Sequence, residues 1–90
     1  MYLHLGQDTV VRTSEIIGIF DMDNATVSKA TRQFLAQAEK RGEVINVTGD
    51  LPKTFVVCRD KRGKVRVYIS QISSATLRKR TGFIDQIANI

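Results

Sequence analysis

The chain has 90 residues, a formal net charge of +5, 42% hydrophobic and 26% charged residues, a composition that excludes a disordered chain and fits one domain with a small core. No apolar run approaches the roughly 18–20 residues that span a bilayer, and the opening MYLHLGQD lacks the basic start and apolar stretch of a secretory signal. Cys58, the single cysteine, cannot form an internal disulfide, which suits a reducing compartment. One cytoplasmic domain over residues 1–90 is the expectation, with self-association as a natural source of added stability for so small a core.

In chain order, Tyr2-Leu3-His4-Leu5 alternates as a short strand ended by Gly6-Gln7-Asp8, and Thr9 to Arg12 resumes as a second. The apolar run from Glu15 to Asp21 is rich in β-branched residues and predicts a buried central strand. A helix over about 25–41 follows, capped by Asp23 or Asn24, with Val27, Ala30, Phe34, Leu35 and Ala38 on one face. Lys40 and Arg41 suit its last turn, and Gly42 its left-handed stop. Val44 to Val47 reads as a strand and residues 48–53 as a loop.

A hairpin comes next. Thr54–Arg59 and Lys64–Ser70 are strand-like, joined by Asp60-Lys61-Arg62-Gly63, a type I turn with Gly63 at the left-handed bulge position. Pairing Asp60 with Lys64 puts Phe55, Val57, Val65, Val67 and Ile69 on one face, with Cys58, Arg66, Tyr68 and Ser70 on the other. Finally, SSATLRKR reads as a short helix over about 75–80, capped by Ser73 or Ser74 and ended by Gly82. Leu77 is its core contact and Ile72 the staple partner. The tail contributes apolar residues Phe83, Ile84, Ile87 and Ile90, suited to packing on the body or on a neighbour. The fold class predicted is α+β: a small antiparallel sheet, one main helix, a basic hairpin over about 54–70 and a short C-terminal helix.

Charge is segregated. Residues 1–50 carry five Lys/Arg and seven Asp/Glu, a net of −2, whereas residues 51–84 carry nine Lys/Arg against Asp60 alone, a net of +8. Such a half suggests a polyanion-facing surface. Enzyme constellations are largely missing from the sequence: one histidine and one cysteine cannot form a His/Cys metal cluster. No glycine-rich phosphate loop or nucleophile elbow occurs. Asp21 and Asp23 are better explained by capping and the helix dipole than by metal binding. His4 and Cys58 read as structural, so no enzyme, metal or cofactor is expected.

The stretches LHLGQDTVVRTSEIIGIFDMDN and VYISQISSATLRKR, with the length of the chain, resemble the RemA/RemB family of extracellular matrix regulatory proteins, biofilm regulators of Gram-positive bacteria. The resemblance covers essentially the whole chain. It implies a cytoplasmic transcription regulator that binds DNA as a ring-shaped homo-oligomer, on a fold likened to the LytTR DNA-binding domain. In the RemA branch a pair of adjacent arginines sits in the loop before the hairpin, and DNA binding is attributed to that region. Here the loop reads Gly49-Asp50-Leu51-Pro52-Lys53, so the pair is not carried over and only Lys53 remains.

The candidate contacts to double-stranded DNA are therefore Lys53, Lys61, Arg62, Lys64, Arg66, Arg78, Lys79 and Arg80, acting on phosphates. The helix over 25–41 is a poor recognition helix, since Glu39 offsets Lys29 and Arg32. The other reading is an oligomeric interaction module whose cations steer an acidic protein partner. A membrane surface is disfavoured, because the sequence has no strongly amphipathic basic helix.

Overall fold

The computed structural model describes residues 1–25, 28–47, 49 and 51–81. Strands β1 (Tyr2–Gly6) and β2 (Thr9–Arg12) form an antiparallel hairpin, followed by a 3₁₀ turn, Thr13–Glu15. A four-stranded sheet contains β3 (Ile16–Asp21), β4 (Val44–Asn46), β5 (Thr54–Arg59) and β6 (Val65–Ser70) in the order β3-β5-β6-β4. Helices α1 (Met22–Ala25) and α2 (Lys29–Lys40) lie between β3 and β4, and α3 (Ser74–Thr81) closes the described chain. The mixed α+β class is as expected.

The sheet is buried on both faces. One cluster, Leu3, Leu5, Val11, Val47, Val56, Cys58 and Leu77, fills the space between the sheet, the β1–β2 hairpin and α3. Another, Ala38, Phe55, Val57, Val67 and Ile69, lies under α2. Alternation along β5 serves both, because successive side chains leave opposite faces. The expected register is the one found: Arg59 pairs with Val65, Cys58 with Arg66 and Phe55 with Ile69.

Polar groups inside the core are tied to the backbone. Thr54 Oγ1 donates to the Ile72 carbonyl at 2.9 Å and Ser70 Oγ to the Leu5 carbonyl at 2.6 Å. Both residues are fully buried, so these bonds offset a desolvation cost of about 1–3 kcal/mol each.

Three expectations need correction. The sheet is not wholly antiparallel: β4 runs parallel to β6. The cause is the crossover through α2, which carries the chain from one sheet edge to the other and returns it in the same direction as β3. Next, β3 is an edge strand, not a central one, with Ile17 60% and Phe20 40% exposed. Its apolar run records a partly covered groove beside α2, and run length carries no information about strand order.

Last, the helix does not run from residue 25 to 41. Ser28 is the N-cap of α2, with extended dihedrals of φ −75° and ψ 132°, which interrupt helical geometry. Among the described members of the predicted stripe, Ala38 is buried and Leu35 packs beside it, whereas Ala30 is exposed and Phe34 42% exposed. The stop is as expected: Gly42 has φ 71°, its N–H donates to Glu39, and the N–H of Glu43 donates to Ala38, a Schellman ending. Val27, Asp50, Gly82 and the apolar tail over 83–90 lie outside the described residues.

Candidate nucleic-acid interface

The basic hairpin tip is built by its turn. The Asp60 N–H donates to the Lys64 carbonyl at 3.0 Å, and the Gly63 N–H donates to the Asp60 carbonyl at 2.9 Å. Gly63 holds φ 85°, which a glycine adopts without penalty. The Asp60 carboxylate oxygen Oδ1 accepts the backbone N–H groups of Arg62 and Lys64, both at 2.9 Å. The N–H of Lys64 chiefly, then that of Arg62 and the charges of Arg66 and Arg62, hold the Asp60 carboxyl below its ordinary range.

Around this turn Lys61, Arg62 and Lys64 are exposed. Arg66 Nη1 stands 3.9 Å from Asp60 Oδ2, a long and partly solvated pair worth little by itself. Arg59 joins the group, because its guanidinium lies beside Gly63, with Nη2 3.6 Å from where a Cβ would sit. Arg59 is not among the contacts expected from sequence, where it stands as the last residue of a strand. Its position directly before the turn, paired with Val65, is the signal that places it there.

Lys53 does not belong to the tip. It precedes β5, and six residues at about 3.3 Å each put it roughly 20 Å from the turn. Neighbouring Leu51 is 85% exposed.

The three cations of α3 have different surroundings. Ser73 caps the helix, its Oγ accepting the Thr76 N–H at 3.3 Å, and buried Leu77 anchors it in the core beside Ile72. Ser74 Oγ donates to Asp21 Oδ1 at 2.5 Å, fixing the helix start at the end of β3. From there α3 runs back along β3. Arg78 Nη2 donates to the Ile19 carbonyl, and Arg80 Nη1 donates to the His4 carbonyl at 3.3 Å. Arg78 is half-buried, whereas Lys79 and Arg80 are exposed. Thus Arg78 and Arg80 fasten the helix, and Lys79 projects to solvent.

Cys58 is buried, and burial, then the charge of Glu15, pushes its thiol up to about 11. His4 lies on the outer face of β1, away from the core that holds Leu3, Leu5 and Cys58, so the two do not form a nucleophilic pair. Native Cys58 is expected to react with a thiol reagent at pH 8 at least about a hundredfold more slowly than the same thiol in the urea-unfolded chain, since the thiolate is the reactive form. Equal rates in both states would contradict the buried position. Tyr68, on the same sheet face, is also raised, chiefly by burial.

Among the described residues, no three His, Cys, Asp or Glu side chains come together as a metal site. Among them too, no helix is long and apolar enough to cross a membrane.

A compact α+β body carrying a preformed basic hairpin tip is the class of protein this geometry defines. The chain belongs to the RemA-like family, described as extracellular matrix regulatory protein A-like, whose model matches residues 2–81. It is also 41% identical over 87 residues to extracellular matrix regulatory protein B of Bacillus subtilis strain 168, covering 97% of this chain and 98% of that relative.

Proposed function

We propose that this chain is a non-enzymatic, cytoplasmic, DNA-binding transcription regulator of matrix and biofilm genes that works as a ring-like homo-oligomer. The observation that carries the reading is the hairpin tip, where five cations, Arg59, Lys61, Arg62, Lys64 and Arg66, stand in and beside a turn that holds a single acid, Asp60, and is ordered by four hydrogen bonds. A cluster of this kind contacts phosphates, which orients a protein on the duplex and carries little sequence information. Lys79 and Arg80 of α3 add charge beyond the tip, and Lys53 adds it at the far end of β5. Repetition around an oligomer would multiply weak contacts into useful avidity. Membership of a family of matrix regulators supports the transcriptional part of the reading.

The test is fluorescence anisotropy of a labelled duplex titrated with protein at about 50 and 200 mM salt. Several neutralised phosphates would weaken binding by about 10³-fold between the two conditions. An absence of binding at the lower salt would overturn the DNA reading. One feature favours a second reading, an oligomeric module for an acidic protein partner: Ile17, Phe20, Phe34, Phe55, Val57 and Val65 help line an apolar groove of about 460 Å³ between β3 and α2. Under that reading the cations steer encounter and the groove supplies the contact area.

A further inference from the structure

Asp60 is the one acid among residues 51–84, and it stands at the centre of their densest group of cations. On charge alone it opposes a polyanion, since its carboxylate repels phosphates that its neighbours attract. Its geometry shows a different use. One oxygen, Oδ1, accepts two donors across the turn, the N–H groups of Arg62 and Lys64, each at 2.9 Å. The other, Oδ2, faces Arg66 Nη1 at 3.9 Å. Both oxygens are thus engaged by the very residues that present the positive charge.

We infer that Asp60 is a positioning residue for the DNA contact: its carboxylate fixes the backbone of Arg62 and Lys64 so that the tip meets phosphates in one ordered conformation. This rests on the DNA reading above. Two charge-assisted hydrogen bonds from one carboxylate group hold a four-residue turn that would otherwise lose conformational freedom on binding. An ordered tip forfeits less entropy when it docks. The depressed titration of Asp60, set first by the Lys64 N–H, agrees with a carboxylate that stays ionised and bonded at neutral pH.

The test separates geometry from charge by sign. Asp60→Ala removes both the acceptor and the negative charge, whereas Asp60→Asn removes the charge and keeps an oxygen in the Oδ1 position. If Asp60 acts only as a charge, both variants bind duplex DNA more tightly than wild type. If it positions the tip, Asp60→Ala binds about three- to tenfold more weakly, although the protein has become more positive, and Asp60→Asn retains wild-type affinity or exceeds it. Amide hydrogen exchange at Arg62 and Lys64 is expected to accelerate in Asp60→Ala and stay slow in Asp60→Asn, a readout independent of DNA.

Three results would overturn the inference: Asp60→Ala binding as tightly as wild type, both variants weakened alike, or exchange unchanged in Asp60→Ala. Wild-type protein that fails to bind any duplex sinks the DNA reading and the inference with it. Wild-type binding that is lost in Lys61→Glu/Arg62→Glu but not weakened in Asp60→Ala sinks only the inference. Because Asp60 sits at an exposed turn, thermal melts of both variants are expected to remain close to wild type.

Discussion

The double variant Lys61→Glu/Arg62→Glu is expected to lose duplex DNA binding by about a hundredfold or more at roughly 50 mM salt, while its fold and assembly stay intact. The tip carries Arg59, Lys61, Arg62, Lys64 and Arg66 against Asp60, a local net of +4. Exchanging two cations for two acids brings that net to zero. Both side chains are exposed and belong to neither core cluster, so the effect is confined to long-range attraction and phosphate contact. Loss of two phosphate contacts also flattens the logarithmic salt dependence by about 2. Anisotropy at several salt concentrations reads both quantities, and circular dichroism with sedimentation checks fold and assembly. Binding that survives with an unchanged salt slope would remove the tip from the interface and leave Lys53 and the α3 cations to carry it.

The largest stability effect is expected at Leu77. It is fully buried and is the apolar anchor of α3 in the cluster that includes Leu3, Leu5 and Val56. Leu77→Ala leaves a cavity at the junction of helix, sheet and β1–β2 hairpin, which costs about 2–5 kcal/mol. Each kcal/mol moves the melting temperature of a domain this size by about 4–8 °C, so a fall of roughly 10 °C or more should appear in a thermal melt. Total stabilities of about 5–15 kcal/mol make this a large share. A cost below about 1 kcal/mol would mean that the polar tethers, Ser74 to Asp21, Arg78 to Ile19 and Arg80 to His4, hold α3 without its apolar anchor.

These two positions also show how differently parts of the molecule were legible. Leu77 could be identified from SSATLRKR, because one apolar residue behind a serine cap has one place to go. The tip could be identified because Asp60-Lys61-Arg62-Gly63 has the residue types a short hairpin turn demands. Arg78 and Arg80 could not be sorted from Lys79 by sequence. The three are consecutive cations in one helix turn, and only the neighbouring elements distinguish them. The same holds for β3, whose Ile17 and Phe20 resemble core residues until the sheet order shows that they border a groove.

By itself the sequence determined what depends on near neighbours along the chain: the register of β5 with β6, a serine cap at Ser73 or Ser74, the stop at Gly42, the left-handed Gly63, and the concentration of positive charge after residue 50. Side-chain alternation, capping and turn chemistry act over a few residues, so a linear reading contains them. The tertiary structure decided strand order, the parallel placement of β4, the edge position of β3 and the division of labour among the α3 cations. Each depends on contacts between residues far apart in sequence. Arg78 meets a carbonyl 59 positions away and Arg80 one 76 positions away, and no local pattern specifies which carbonyl the folded chain will bring to them.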